Sequence, residues 1–353
     1  MRITWLVSAE ITGNTPETWD CQLASVRYRV LAPARQLHQR GEHVGWLRFE
    51  QLAELAAAEK GSDAADHDHW PADVVILSKV FAQNAVPALR YARAQGSRVL
   101  VDLCDDHFDH PALGPVYHEL CAQADGVIAS TRAMAELIRQ RTGRSAIQID
   151  DPLEGPGGVP RFNPDLPQRP LRLAWFGHPV NFDTVAPCLP ELQKLSVMFP
   201  LELRLITDLA AVRDNPFGRI LEKATGPRLQ IQALPWSQAL TWQALAECDI
   251  VLLPSLPDQK KLVKSPNRAV EGIHAGRLVL AYPLPAYTEL AGGLWLGEDL
   301  CQGIRWAVNH PVAARQLISQ GQVLIRRRFL PEIAGQAWGG VVEAVLEQEA
   351  CVP

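Results

Sequence analysis

The sequence lacks the features that mark membrane-spanning, disulfide-rich and nucleic-acid-binding proteins. No stretch approaches the roughly 20 consecutive apolar residues that a membrane helix requires. The seven cysteines are scattered and form no C-x-x-C pair, so we expect neither a disulfide framework nor a structural zinc site. That cysteine usage fits a reducing cytoplasm. The formal charge of −5 gives no global basic field that would attract nucleic acid.

The N-terminal region shows neither a signal peptide nor a dinucleotide-binding fingerprint. The first apolar run, ITWLVSA (3–9), is short and has no clean cleavage site, so we interpret it as a β-strand and not as a signal peptide. No G-x-G-x-x-G follows that run, which argues against a standard dinucleotide-dependent oxidoreductase. What is present is an ordinary globular composition, with 47% hydrophobic and 21% charged residues in 353, and that length indicates about two domains.

Apolar runs of strand length alternate with helical patterns along the whole chain. Most of the runs are continuously apolar, which is typical of parallel strands buried on both faces. We expect strands at 3–9, 43–49, 74–80, 98–104, 126–130 and 146–150, and then at 171–177, 201–207, 229–234, 250–255 and 278–284. From about 311 to 349 the pattern predicts two helices, broken near Pro331.

Proline and glycine dominate the stretch between the two series of strands, which we interpret as an interdomain linker. The predicted fold is therefore α/β, with two doubly wound Rossmann-like domains facing across a cleft. The predicted segments are 1–151 for the N-terminal Rossmann-like domain, 152–170 for the linker, 171–330 for the C-terminal Rossmann-like domain, and 331–353 for a helix packing back on the N-terminal domain.

The segment KSPNRAVEGIHAG (264–276) carries the clearest functional signal. Ser265 suits an N-cap, and Pro266 suits the first position of a helix, which we therefore predict to begin at Ser265 beyond the strand at 250–255. Its amides and dipole would bind a phosphate, and the Glu271 carboxylate would accept two bonds from the paired hydroxyls of a ribose. A capped surface helix with solvated lysines fits the same spacing.

This segment and the residues after it, up to TEL (288–290), resemble the donor-binding signature of retaining GT-B glycosyltransferases of family four. Lys264, Pro266, Arg268 and Glu271 match the K-x-P-x-K-x-x-E pattern, with Arg268 in place of the second lysine. The resemblance implies that Glu271 binds the donor ribose, that Ser265 and Asn267 lie at the diphosphate, and that Lys264 compensates its charge. Glu289 falls on the later acidic position of the pattern.

The sequence departs from the family at one position. Many members have a second glutamate eight residues before the ribose-binding one, where it contacts the transferred sugar, and this chain has Val263 there. The contacts and identity of the sugar are therefore open, although the nucleotide site is not affected.

Further donor-side candidates lie in two loops of the C-terminal half. By the same resemblance, the loop with Gly177, His178 and Asn181 approaches the donor phosphates, although the family's usual arginine and lysine are not there. Trp236 follows the strand at 229–234, where base contacts lie in the family, and is equally compatible with a core position.

Candidates in the N-terminal half follow its predicted strands. Arg27 and Arg29 resemble the R-x-R of the family's first helix and could meet the donor phosphate or an anionic acceptor, or lie on a solvated helix face. Lys79 ends the strand at 74–80 and is a candidate catalytic residue of the cleft. The alternative is a lysine whose ammonium group reaches solvent. An acidic and histidine-rich patch at 62–70 is interpreted as a solvated loop.

The segment VDLCDDHFDHP (101–111) is the candidate catalytic segment. Asp105, Asp106 and His107 follow a buried strand, so we expect them at the mouth of the cleft, as polar contacts to the sugar or acceptor. A metal site and a plain capped loop are the alternatives. The resemblance favours polar contacts, because GT-B enzymes normally need neither a metal nor another cofactor.

The sequence thus predicts a glycosyltransferase that moves a sugar from a nucleotide-diphosphate sugar to a glycan, a lipid-linked glycan or a protein, with retention. A nucleotide-sugar 2-epimerase or hydrolase of the same fold is one alternative, and a non-catalytic sugar-nucleotide-binding protein is another. The predicted role is polysaccharide biosynthesis in the cytoplasm, and the arginine-rich helices also fit peripheral contact with the inner membrane face.

Overall fold

The computed structural model describes residues 1–52, 72–78, 84–164, 166 and 168–347. Contacts divide the chain into two compact units. The first unit comprises Met1–Pro152, Val263–Ser265 and Phe329–Pro353, and the second comprises Leu153–Leu262 and Pro266–Arg328. The chain therefore returns to the first unit for three residues, and the last two of them, Lys264 and Ser265, are the first residues of the segment that carries the donor signature.

The first unit contains a six-stranded parallel sheet. Its strands are β1 (Arg2–Val7), β2 (His43–Arg48), β3 (Val74–Ser78), β4 (Arg98–Leu103), β5 (Gly126–Ala129) and β6 (Ile147–Gln148). They lie in the order β2-β1-β3-β4-β5-β6, and each described pair is parallel. All five residues of β3 are buried, as expected for a continuously apolar strand covered on both faces.

Helices flank this sheet. A continuous helical segment consists of α1 (Ala24–Val26), a π-helical turn at Arg27–Leu31 and α2 (Ala32–Gln39). It is followed by α3 (Ala85–Ala94), α4 (Gly114–Gln123) and α5 (Arg132–Thr142). The hydroxyl of Thr131 accepts a bond from the Met134 amide at 3.0 Å and caps α5, which ends at Gly143 with φ +72°.

The second unit contains another six-stranded parallel sheet. Its strands are β7 (Leu171–Phe176), β8 (Leu201–Thr207), β9 (Leu229–Pro235), β10 (Ile250–Leu253), β11 (Leu278–Ala281) and β12 (Trp295–Leu296). The order β12-β11-β10-β7-β8-β9 is that of a Rossmann-type sheet, and it reverses between β7 and β10. The short edge strand β12 was not predicted, because two residues carry no periodicity.

The helices of the second unit fill the intervals between its strands. Their bounds are α6 (Phe182–Val185), α7 (Leu189–Ser196), α8 (Leu209–Asp214), α9 (Pro216–Ala224), α10 (Gln238–Glu247), α11 (Gln259–Leu262), α12 (Asn267–His274), α13 (Pro285–Thr288), α14 (Leu300–Asn309) and α15 (Pro311–Arg328). The last helix of the chain, α16 (Pro331–Glu347), belongs to the first unit. The predicted pair of helices broken near Pro331 is confirmed.

Each unit has its own apolar core. In the second unit Trp175 and the leucines of β7 and β8 pack under α6, α7 and α14. In the first unit one face of the sheet is covered by α2 and α16, where the Trp5 and Trp338 rings meet edge to face with centroids 6.1 Å apart. The other face packs on α3, α4 and α5. The predicted α/β class with two doubly wound domains is thus confirmed.

Candidate nucleotide-sugar site

The second unit brings two predicted donor-site segments together at the point where its strand order reverses. The Arg268 Nη1 atom in the first turn of α12 lies 3.4 Å from the Phe176 carbonyl oxygen at the end of β7. A Cβ atom at the next residue, Gly177, would come within 3.2 Å of that Nη1. Ligands of open α/β sheets bind at the carboxyl ends of strands at such a reversal. The sequence therefore predicted two segments that the fold places side by side.

Helix α12 begins two residues later than predicted. Its first hydrogen bonds run from the Ala269 and Val270 amides to the Pro266 carbonyl, at 2.8 and 3.0 Å. Pro266 therefore occupies the cap position, and no side chain caps the helix, which corrects the predicted role of Ser265 as N-cap. The amides of Asn267 and Arg268 precede this ladder, at the positive end of the helix dipole.

The Glu271 carboxylate is buried and already holds two backbone amides. Its Oε1 accepts from the Glu154 amide at 2.7 Å and its Oε2 from the Gly155 amide at 2.9 Å. Only 2% of Glu271 is exposed. The predicted partners were ribose hydroxyls, whereas in the structure two of about four acceptor positions of the carboxylate serve the 153–170 segment.

The segment containing Gly155 approaches α12 closely at several points. A Cβ at Gly155 would lie 2.7 Å from the Glu271 Oε2 and 2.8 Å from the Trp242 ring. Further along, a Cβ at Gly158 would lie 2.1 Å from the carbonyl oxygen of Ala275. The sequence predicts only an interruption of regular structure at EGPGG (154–158), because close backbone approach leaves no pattern that differs from a flexible turn.

The loop after β7 is held by its own hydrogen bonds. His178 Nδ1 accepts from the Val180 amide at 3.2 Å, and the Asn181 amide donates to the His178 carbonyl at 3.0 Å. The Gly177 carbonyl accepts from the Thr207 hydroxyl at 2.8 Å, which links the ends of β7 and β8. These predicted residues thus form one short turn at the carboxyl edge of the sheet.

Two other predicted donor residues lie at the ends of other elements. Trp236 directly follows β9, is half-buried, and donates its backbone amide to the Thr207 carbonyl at 2.8 Å. Glu289 follows α13 and forms an ion pair with Arg328 at 2.6 Å. To contact a donor, the Glu289 carboxylate would therefore have to share or break its ion pair with Arg328, which lies in the same unit.

Lys264 and Ser265 lie in the first unit, and Lys264 contacts the predicted catalytic segment. Its Nζ forms an ion pair with Asp105 Oδ1. The preceding residue, Val263, is 4% exposed and belongs to the apolar core of the first unit. The Val263 carbonyl accepts from the Thr131 hydroxyl at 2.9 Å. At the position where many family members have a glutamate, this chain thus has a valine buried in the core of the first unit.

Asp106 and His107, the other predicted catalytic residues of this segment, follow β4 as expected. Asp106 Oδ1 accepts from the Phe108 amide at 3.1 Å and shapes the turn. The His107 ring meets Tyr117 edge to face, with centroids 5.5 Å apart. Burial, together with the nearby Cys104 and Asp105, raises the pKa of Tyr117 well above its usual value, so that phenol is neutral. Within the described residues no group of three His, Cys, Asp or Glu side chains is placed to hold a metal ion.

The structure corrects the interpretation of Arg29. This side chain is 1% exposed, and its Nη2 and Nη1 form ion pairs with Asp102 at 2.5 Å and Asp151 at 3.1 Å. The Trp338 ring lies 5.3 Å from its guanidinium carbon. Burial opposes the charge, but the two carboxylates outweigh it and raise the pKa of Arg29. Arg29 therefore faces buried carboxylates, not a phosphate or a solvated surface.

Arg27 is buried as well, and its Nη1 donates to the carbonyls of Cys21 and Gln22 at 3.0 and 2.9 Å. It holds the loop that follows β1. Asp102 lies inside an apolar strand, and a buried carboxylate requires a buried partner. This feature of the sequence could have indicated a buried cation near β4. Lys79 and the patch at 62–70 lie outside the described residues. Within the described parts of the chain, no helix is both long and apolar enough to cross a membrane.

Comparison with known proteins supports the fold through structure alone. No protein-family model matches the chain, and a search of curated proteins also found no match. Among solved structures, a glycosyltransferase from Rickettsia africae aligns with a TM-score of 0.72 at 11% identity, covering 98% of both chains. HepE from Anabaena in complex with UDP aligns with a TM-score of 0.67 at 15% identity, covering 98% of this chain and all of HepE.

A third similar structure is an α,α-trehalose-phosphate synthase (UDP-forming) from Burkholderia vietnamiensis. Its TM-score is 0.61 at 11% identity, over 86% of this chain and 77% of the synthase. At such low identities the likeness shows the fold alone. The chain has the GT-B fold, with two parallel six-stranded sheets, and is structurally similar to glycosyltransferases that have this fold.

Proposed function

We propose that this protein is a glycosyltransferase that binds a nucleotide-diphosphate sugar in its second unit and transfers the sugar to an acceptor hydroxyl. The observation that carries this proposal is the junction of β7 and α12, where Arg268 lies against the Phe176 carbonyl beside Gly177. A guanidinium, a side-chain-free backbone position and the start of a helix together provide what a diphosphate requires.

We propose that the nucleotide of the donor sugar is uridine diphosphate (UDP). HepE was solved with UDP and with UDP-glucose, and the similar trehalose-phosphate synthase is described as UDP-forming. In this proposal the diphosphate lies against the amides of Asn267 and Arg268, and the ribose hydroxyls donate hydrogen bonds to the Glu271 carboxylate. As the bond to the sugar breaks, the diphosphate gains negative charge, which Arg268 and the helix dipole stabilise.

The acceptor side is proposed for the first unit. Asp105, Asp106 and His107 follow β4 and offer carboxylate and imidazole groups to an acceptor hydroxyl. Asp105 forms an ion pair with Lys264. The proposed acceptor is a glycan, a lipid-linked glycan or a protein, the proposed stereochemical outcome is retention, and the proposed compartment is the cytoplasm. The proposed chemistry uses no metal or other cofactor.

The test is a thermal-shift screen followed by product analysis. A ligand that binds only the folded state raises the melting temperature, so UDP and UDP-sugars should raise it more than AMP or phosphate do. Incubation with the stabilising donor and candidate acceptors should then release UDP and form a new glycoside. Stabilisation without turnover would support the non-catalytic alternative. Release of sugar or of a 2-epimer, whether or not acceptor is present, would support the hydrolase or epimerase.

A further inference from the structure

The exposed side of α15 in the second unit is positively charged and contains no carboxylate. The stretch 300–330 contains five arginines and no aspartate or glutamate, in a chain whose formal charge is −5. Arg328 pairs with Glu289. Arg315, Arg326 and Arg327 are exposed and form no ion pair with any described residue. Their charge is therefore available to an external anion.

Exposed apolar side chains lie between these arginines. Val312 is 58% exposed and Val323 is 43% exposed. The two valines are about three turns apart and lie on the same side of the helix, because each residue advances about 100°. The same geometry places Arg315 and Arg326 along one flank of this apolar line and Arg327 along the other. This arrangement, apolar in the centre and cationic at both flanks, is that of a helix lying on a membrane interface.

Two open grooves widen this surface. One, of about 450 Å³, is lined by Ala291, Gly292, Val323, Leu324 and Arg327 among others. The other, of about 440 Å³, is lined by the Trp295 and Trp306 rings and by Leu317, and both grooves include Gln320. Tryptophan rings at the edge of an arginine-rich apolar surface are characteristic of the region where lipid headgroups meet acyl chains.

We infer that this surface, which we call the α15 face, docks the second unit on a membrane that contains anionic lipids. Charge complementarity selects this occupant, since lipid phosphates would face three arginines that form no ion pair with a described residue, on a helix that contains no carboxylate. A second copy of the chain fits less well, because a symmetric dimer contact would bring the same arginines together. The inference depends on surface chemistry alone, so it can fail while the proposed transfer reaction stands.

Cosedimentation of the full chain with vesicles tests the inference. The wild type should bind vesicles of phosphatidylcholine mixed with phosphatidylglycerol, should not bind phosphatidylcholine alone, and should be released as salt rises, because salt screens exposed charges. The triple variant Arg315→Gln, Arg326→Gln, Arg327→Gln should lower partitioning by about tenfold or more. The variant Val312→Asn, Val323→Asn should lower it with no change in charge.

A matched control removes the same charge from another exposed face of the second unit. It carries Arg213→Gln and Arg219→Gln together with Lys223→Gln on α8 and α9, and it should bind as the wild type does. Thermal melting checks that every variant is folded. The inference would be overturned by absent binding to anionic vesicles, by equal losses in the two triple variants, or by a dimer in sedimentation velocity that only the α15 variant loses.

Discussion

For Glu271, the structure predicts a role in stability and the family resemblance predicts a role in nucleotide binding, and the two roles can be tested separately. Its carboxylate accepts the amides of Glu154 and Gly155 within the second unit. Substitution by alanine should leave these amides without that acceptor and lower the free energy of unfolding by about 1–3 kcal/mol. If the ribose also binds there, the same variant should weaken UDP binding by about tenfold or more. Chemical denaturation and titration calorimetry measure the two effects independently.

The exposed Glu298→Ala variant is the control for Glu271, and neither measurement should change. Lower stability of Glu271→Ala with unchanged UDP affinity would show that the carboxylate only holds the Glu154 and Gly155 amides. The donor ribose would then have to bind elsewhere.

Val263 provides a second residue-scale prediction. The family glutamate cannot be restored by simple substitution, because Val263 is 4% exposed in the core of the first unit. Val263→Glu would bury a charge without a partner and should cost on the order of 3 kcal/mol of stability. The neighbouring Leu262, 37% exposed, is the control, and Leu262→Glu should change the melting temperature little. A stable Val263→Glu variant with increased turnover would contradict this account.

At the scale of elements, the glycines beside α12 determine how closely the 154–158 segment approaches that helix. A Cβ at Gly158 would lie 2.1 Å from a backbone oxygen, which cannot move as a flexible side chain does. Gly158→Ala should therefore destabilise the protein by about 1–3 kcal/mol through overpacking. Gly226→Ala, at a site with nothing within 4 Å, is the matched control. Equal melting temperatures for the two variants would show that the close approach is not maintained in solution.

Most elements were predictable because buried parallel strands leave apolar runs that are easy to read. The fully buried β10 and β11 lie inside the predicted runs at 250–255 and 278–284, although each strand ends a few residues before the end of its run. The start of α12 was misplaced because proline can occupy the cap as well as the first helical position. Element type thus followed from periodicity, whereas exact boundaries depended on local hydrogen bonds.

The candidate site was less predictable than the fold. The neighbouring positions of Gly177 and Arg268 could be anticipated, since both follow strands at one edge of the same sheet. The burial of Arg29 could not, because its carboxylate partners Asp102 and Asp151 lie 73 and 122 residues away along the chain. Contacts at that separation depend on tertiary packing and leave no local sequence pattern.

At the scale of the whole molecule, the first unit depends on the last helix of the chain. Trp338 and Val342 on α16 are fully buried in the core of the first unit, whereas the core of the second unit includes no residue of this helix. A chain ending at Leu330 should therefore lose the stability of the first unit while the second unit remains folded. Differential scanning calorimetry should show one transition weakened or absent and the other retained.

The milder variant Trp338→Ala should lower the same transition, by about 3–5 kcal/mol of unfolding free energy. Retention of both transitions in the truncated chain would contradict the assignment of α16 to the first unit.

The central claim is that the junction of β7 and α12 binds the diphosphate of a nucleotide sugar, and calorimetric titration of UDP tests it most directly. The wild type should bind UDP, and Arg268→Ala should weaken binding by about tenfold or more, since it removes a charged donor. Arg213→Ala, at an exposed site on α8, should bind as the wild type does. Absent UDP binding by the wild type, or equal affinity for wild type and Arg268→Ala, would contradict the account.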